Sequence, residues 1–478
     1  MSKHALGPLL LVAGLLACGG GAESATGPSA TGIQIVAGSP VIDTVRARPL
    51  QALVVEVRVG GQPLGGLVVR FEAMPSPDTS RRFEEAISVS KISLNSFGRF
   101  VPDTTNASGR SSALVQLGTI AGEARVLVSI PELGLADTAT FTVQPGNAAR
   151  IVSAPKDTVL LAGSSYNVGA QVTDRYGNKR TDPVTFTRGP NSAAVDAAGR
   201  VTVGSAIGRG AVAMATGSVT DSARFVVLPA EPVALFYNDF GAGSIATAKL
   251  DGSGLTLITS ATMPAYPNMS PNGNLITYQQ QENDGSVIYV VDGAGAKRRL
   301  VDTSVVWPQQ SPHFSGDGQF IYFSGRPPGE GPAVWRVRAD GTSLTKVVDI
   351  VSNSSGGQIA VAPDGTRIAF SEYTGVTVMD LVTGAKASTN GYGSFLEFSP
   401  DSKRLAYLSS SVVVANANGT LPRQVTDAAV TFDAGLTWLP GGGWLLVRAE
   451  YGPMIINVAT GEAIRLPPAE FYHVSARP

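Results

Sequence analysis

A tight turn recurs through the C-terminal half of this 478-residue chain, and it limits what that half can fold into. Ser270-Pro-Asn-Gly273 is followed by Ser315-Gly-Asp-Gly318, Ala362-Pro-Asp-Gly365, Ser399-Pro-Asp-Ser402 and Leu439-Pro-Gly-Gly442, at intervals of 45, 47, 37 and 40 residues. Each supplies Asn, Asp, Ser or Gly where a turn asks for positive φ. A short apolar strand follows each one: Leu275–Tyr278, Phe320–Phe323, Ile368–Phe370, Leu405–Leu408 and Leu445–Val447. A third strand comes next, then a second turn such as Asp292-Gly293, Asp340-Gly341 or Asn418-Gly419, and a fourth short strand. Four strands per roughly 40 residues is the period of a propeller blade, a unit that buries its faces only by stacking on its neighbours.

The chain ends complete the count. Val233–Tyr237 reads as a second strand with no first strand before it, and Phe471–Ser475 as a first strand with nothing after it. Together they predict a blade built from both ends, and hence six blades over residues 231–478 in a ring without a free edge. The Ser-Pro-Asp-Gly repeats resemble those of the TolB-like propellers. TolB itself carries an α/β domain before its propeller, so the resemblance does not imply membership of the Tol system.

Residues 31–229 repeat at a longer period. Ala107-Ser-Gly-Arg110 recurs as Ala197-Ala-Gly-Arg200, and Asp137 and Phe141 recur as Asp221 and Phe225, each pair 84 residues apart. Apolar and polar residues alternate in Ala124–Ser129 and Asn167–Thr173, between Gly-rich turns, which predicts β-sandwiches. Gln62–Phe71 in one copy and Val172–Asn178 with Val184–Phe186 in the other resemble the bacterial immunoglobulin-like domains of the invasin and intimin type. The domains expected are 33–145 and 146–229. The first copy is longer between Met74 and Asn106, with Arg81–Glu85 in the extra segment, read as a surface loop.

The N-terminus reads as an export signal. Lys3 and His4 precede an apolar run from Leu6 to Leu16, too short for a transmembrane helix and suited to the core of a secretory signal. It ends in Leu15-Leu16-Ala17-Cys18, which resembles the bacterial lipobox. The resemblance implies a signal peptide over 1–17 and lipid on Cys18, the only cysteine of the chain. Two or three acyl chains would make the anchorage stable. Gly19 in place of Asp favours the outer membrane or cell surface under the enterobacterial sorting rule. Residues 18–32, rich in Gly, Ser and Thr, read as a flexible tether. A lone cysteine permits no intrachain disulfide.

The formal net charge is −1, with no basic excess, so nucleic acid is not an expected partner. There is no Gly-x-Ser-x-Gly, no phosphate-loop Gly-Lys pair and no His-Glu-x-x-His. His313 and His473 share one place in the blade repeat, with Asn268, Ala360, Glu397 and Thr437 at the equivalent positions. First strands of a propeller surround its channel, so these six would form a ring of mixed polar groups. That ring is the candidate site, either for a small ligand or metal held by two imidazoles and a carboxylate, or as polar packing. Trp307, Trp335, Trp438 and Trp444 are read as packing between blades, with sugar stacking as the other reading. The expected fold class is all-β: two tandem immunoglobulin-like sandwiches, then a six-bladed propeller closed by its terminal strands. The expected function is a non-enzymatic envelope module without a cofactor, binding envelope proteins, a peptide or a glycan through the propeller. The alternatives are a glycan lyase or hydrolase using acids such as Asp239, Glu282, Asp284, Glu330 and Glu372, or a purely structural component.

Overall fold

A computed structural model describes residues 31–75, 86–239, 242–283, 285–351, 357–389, 391–426, 435–449, 452–466 and 471–475. The signal segment, Cys18, Arg81–Glu85 and Asp284 lie outside them, as do the side chains of Asp239 and His473. The described chain is all-β, with one short 3-10 turn at Pro131–Leu133. No helix among the described residues is long and apolar enough to cross a membrane.

Two compact units divide the chain. One runs to Arg150 and takes in Val172–Asp182; the other holds Ile151–Gln171 and everything from Pro183. In the first unit two five-stranded sheets enclose a core of Leu53, Val55, Phe71, Ile87, Leu117, Val128 and Phe141, all essentially without solvent contact. Alternation puts these residues inside. Arg110–Leu117 buries every second side chain, the period-2 pattern of a sheet with one covered face.

Asp174 organises the 172–182 loop within this unit. Its fully buried carboxylate accepts from Gly146 N, Tyr176 N, Asn178 N and Asn178 Nδ2 at 2.7–3.0 Å. Asn178 in turn donates to Thr119 O at 2.7 Å and accepts from Ala121 N at 2.9 Å.

The sequence repeat corresponds to a repeated topology. Gly122–Ile130 pairs antiparallel with Leu135–Gln144, and Gly208–Thr216 with Val219–Leu228. In each copy an early strand joins the last one in parallel, with Val41 opposite Phe141 and Thr158 opposite Phe225. The recurring Gly-Arg turns match as well. Asn106 Oδ1 accepts from Ser108 N and Arg110 N, and Asp196 Oδ1 from Ala198 N and Arg200 N. Gly109 and Gly199 hold φ of 69° and 81° there, a conformation that strains a residue with a Cβ.

From Val233 onward the described residues form six four-stranded antiparallel sheets. Five are consecutive along the chain. The sixth pairs Val233–Asp239 with Phe471–Ser475, Leu235 opposite Val474. The first strands of the sheets (Ala265–Met269, Gln309–Phe314, Ile359–Val361, Ser394–Phe398, Leu436–Trp438 and Phe471–Ser475) are neighbours in that order, and the last lies beside the first. Buried clusters fill the spaces between adjacent sheets, such as Ile288, Val306, Ile321 and Phe323.

The recurring turns have a common chemistry. Ser315 Oγ donates to Asp317 Oδ1 at 2.5 Å and accepts from Phe320 N at 3.0 Å, while Asp317 accepts from Gln319 N. Ser399 and Asp401 repeat this with Arg404 N and Lys403 N.

One core crosses from the 151–228 strands into these sheets within the second unit. Val159, Leu161, Ile207 and Val226 pack with Leu228, Leu235, Leu446, Ile455 and Trp444. Gly208 lies against the Trp444 indole, where an added Cβ would meet the ring at 2.8 Å, and Arg209 pairs with Glu462 at 2.7 Å.

Candidate functional site

Successive side chains along each first strand with described side chains point to opposite faces of its sheet. Four of the first strands depart from regular pairing. The register against the second strand shifts between Ala265 and Asn268, between Gln310 and His313, and between Ser394 and Glu397, and that of Phe471–Ser475 shifts opposite Leu235–Tyr237. At each of the first three shifts a non-glycine residue takes left-handed φ: Tyr266 at 50°, Ser311 at 52° and Phe395 at 52°. Such a bulge re-aims the residues after it, and each left-handed residue with a side chain costs about 1–3 kcal/mol. Ile359–Val361 and Leu436–Trp438 pair without a shift.

The bulges lie two residues before Asn268, His313 and Glu397. These three side chains together line both of two small cavities, each open to solvent. The larger is bordered by Tyr266, Ser311, Gln358, Phe395 and Gly435, all two positions before the ring. The smaller is bordered by Met269, Phe314, Val361 and Phe398, all one position after it, and by the turn residues Pro271, Ser315 and Pro363. Asn268, His313 and Glu397 therefore form a waist between the two ends of one channel. The second end is that of the Ser-Pro-Asp-Gly turns, and Ile207–Arg209 packs on Trp444 and Glu462, beside the corresponding turns of their sheet.

Adjacent strands are stapled by these side chains. Asn268 Oδ1 accepts from Phe314 N at 2.9 Å, one strand on. Glu397 Oε2 accepts from Trp438 N at 2.9 Å in the same way, and Oε1 accepts from the Thr437 hydroxyl at 3.0 Å. Trp438 Nε1 donates to Glu397 O at 3.0 Å. Burial pushes the Glu397 carboxyl up to about 8, against the Thr437 hydroxyl and the Trp438 N–H, which favour its charged form. Burial alone pulls the His313 imidazole down to about 4. Both side chains lie deep among the sheets yet face the channel, so water entering it moderates shifts whose directions depth dictates. Burial thus favours the protonated carboxyl and the neutral imidazole at the waist.

At the larger cavity, the Tyr266 and Phe395 rings approach to 6.0 Å between centroids, tilted by 32°. Gln358 ties them together: its Nε2 donates to Tyr266 Oη at 3.0 Å and its Oε1 accepts from Phe395 N. Ser311 Oγ accepts from Ile359 N at 3.2 Å.

The structure thus brings Asn268, His313, Glu397 and Thr437 to one place. Ala360 is buried beside them at the equivalent position, and the His473 side chain lies outside the described residues. Among the described residues no three His, Cys, Asp or Glu side chains gather as metal ligands would. Among the described residues, the loop acids Glu282, Glu330 and Glu372 each have separate partners. Glu282 accepts from the Tyr289 hydroxyl and Arg299, Glu372 from Val351 N and Thr377, and Glu330 pairs with Lys346 at 3.5 Å. Of the tryptophans, Trp438 is buried, Trp335 and Trp444 pack in cores, and Trp307 is 43% exposed.

Tyr266, Ser311, Gln358 and Phe395 were not singled out by sequence reasoning. For Tyr266 and Ser311 the signal lay in Pro267 and Pro312, which interrupt first strands that otherwise read as regular, since proline inside a strand marks a bulge.

This strand architecture is that of a β-propeller, preceded by further all-β structure. No family model matches the chain, and no curated protein matches it. Among solved structures it is similar to TolB from Acinetobacter baumannii, at 14% identity and a TM-score of 0.45, over 68% of this chain and 98% of that one. It is also similar to a putative TolB from Agrobacterium tumefaciens (15%, TM-score 0.39, 51% and 90%) and to a nidogen/laminin complex (11%, TM-score 0.41, 51% and 98%).

Proposed function

We propose that this protein is a non-enzymatic binding module of the bacterial cell envelope. It is exported, lipid-anchored at Cys18 and held at the outer membrane or cell surface. Two immunoglobulin-like sandwiches, 33–145 and 146–229, carry a closed six-bladed propeller over 231–478, and the partner is an envelope protein, a peptide or a glycan. The observation that carries the binding reading is the channel waist. Three bulged strands spend backbone strain to aim Asn268, His313 and Glu397 into one solvent-open space, and strain of this kind gathers where a ligand is held. The separate partners of Glu282, Glu330 and Glu372 favour binding over glycan hydrolysis, which needs two carboxyl groups across one bond.

Cross-linking capture from envelope extract tests this reading. The intact chain should take up a partner that Tyr266→Ala loses while staying folded. Equal capture by both proteins, or turnover of a polysaccharide, sinks it. Anchorage is tested separately by labelled palmitate. The wild type should be labelled and Cys18→Ala should not; a cleaved Cys18→Ala chain that stays tightly in the membrane refutes lipidation.

A further inference from the structure

Asn268 and Glu397 do the same structural work. Each side chain accepts the backbone N–H one residue past the ring position on the next strand, Phe314 N for Asn268 and Trp438 N for Glu397. A neutral amide suffices for that staple, so the staple does not explain why one position holds an acid. A charged carboxylate at that depth is costly unless something compensates it, so without a nearby cation the carboxyl favours its protonated form. Neither cavity that Glu397 lines is bordered by a lysine or an arginine among the described residues. The compensating charge is therefore not supplied at the channel by the described chain. Each carboxylate oxygen uses one acceptor position on Thr437 or Trp438 and has a second lone pair.

The larger cavity adds what an organic cation requires. Tyr266 and Phe395 both border it, and a positive charge is attracted to aromatic faces within about 6 Å of the ring centre. The neutral imidazole of His313 offers one acceptor nitrogen at the waist.

We propose that the Tyr266–Phe395 end of the channel binds an alkylammonium or guanidinium group, with Glu397 as its counter-ion and the two aromatic rings bordering it. This rests on the binding-module reading and names the ligand class of that site. Arrival of the cation ionises Glu397, so binding near pH 7 releases a proton to solvent.

The test is calorimetry on the full chain at pH 7 in two buffers of different ionisation enthalpy. The probes are n-butylammonium, n-butylguanidinium and an end-blocked Gly-Lys-Gly peptide, with n-butanol as neutral control. The cations should bind at least about tenfold more tightly than butanol, with release approaching one proton. Glu397→Gln keeps the staple in amide form and should lose about tenfold in affinity together with the proton release. Tyr266→Leu should lose about threefold, the size of an exposed cation–π contact. Tighter binding of the peptide than of butylammonium assigns the site to a protein segment; equal binding assigns it to a free amine. Cations that bind no better than butanol, or a folded Glu397→Gln that binds them as the wild type does, overturn the proposal. Partner capture that depends on Tyr266 but persists without any affinity for these cations refutes the ligand class alone.

Discussion

The Thr437 hydroxyl donates to Glu397 Oε1 across the gap between two adjacent sheets, at 3.0 Å, and so restrains an acid that burial would otherwise push higher still. Thr437→Val removes that restraint. The Glu397 midpoint, about 8 in the wild type, should rise, read by carbon NMR titration of the side chain carboxyl. A fall would mean that the hydroxyl acts chiefly in packing.

Glu397 and His313 also set the pH dependence of stability, with opposite signs. Glu397 has a folded pKa of about 8 against 4.5, so its folded form holds a proton that the unfolded chain gives up, and it costs stability as pH rises from about 4.5 to about 8. His313, at about 4 against 6.5, costs stability as pH falls from about 6.5 to about 4. The two slopes oppose each other where they overlap. The uncompensated part lies between about 6.5 and 8, where stability should decline with rising pH by at most about 1.4 kcal/mol per unit. Denaturant titrations across that range should show the decline in the wild type and a flat profile in Glu397→Gln.

Asp174 is buried, which pushes its carboxyl up, yet the Asn178 amide and the N–H groups of Gly146, Asn178 and Tyr176 hold it below the usual range. Its contribution is present above the unfolded pKa and is lost as pH falls through the folded one. Asp174→Ala leaves several buried donors without an acceptor, at about 1–3 kcal/mol for the group. Hydrogen exchange at Gly146, Tyr176 and Asn178 should quicken, with no change at Leu405–Leu408.

Gly208 meets Trp444 with φ of 119°, so a side chain there is opposed by both the indole and the backbone. Gly208→Val should destabilise the second unit by about 1–3 kcal/mol. Limited proteolysis should then cut more readily near Leu228–Val233, where one core joins the two sets of strands. A melting temperature equal to wild type would show that this contact contributes nothing.

In the turns, Ser399→Ala deletes a hydroxyl that donates to Asp401 and accepts from Arg404 N. The Ser399 hydroxyl is the largest influence holding the Asp401 carboxyl low, so its removal should raise that pKa, and stability should fall by about 1 kcal/mol. Chemical-shift titration and thermal melting read the two effects separately.

Much of the strand pattern was legible without coordinates. The pairing of Val233–Asp239 with Phe471–Ser475 was expected from a missing first strand and a surplus one. The convergence of Asn268, His313, Glu397 and Thr437 followed from their shared place in the repeat, because a periodic sequence puts equivalent residues at equivalent heights. The mouth residues were legible only in part: Pro267 and Pro312 mark two of the bulges, and no proline marks the one at Phe395. Tyr266 and Phe395 are separated by 129 positions and belong to different sheets, and a bulge changes direction without leaving a period of its own. The packing of Ile207 and Gly208 on Trp444 was equally hidden, since apolar residues at sheet ends look alike whether they face solvent or a neighbour.

By itself the sequence determined the strand periods, the turn chemistry and the residues that occupy the ring, because these depend on local spacing and on which side chains can cap a turn. Tertiary structure alone decided which groups share an environment. It set the Glu397 carboxyl beside Thr437 and Trp438, gave Asn268 the matching contact on the next strand, and brought two aromatic rings together over the channel. The physical reason is that burial and approach between distant strands fix proton affinity, and neither is encoded in the distance along the chain.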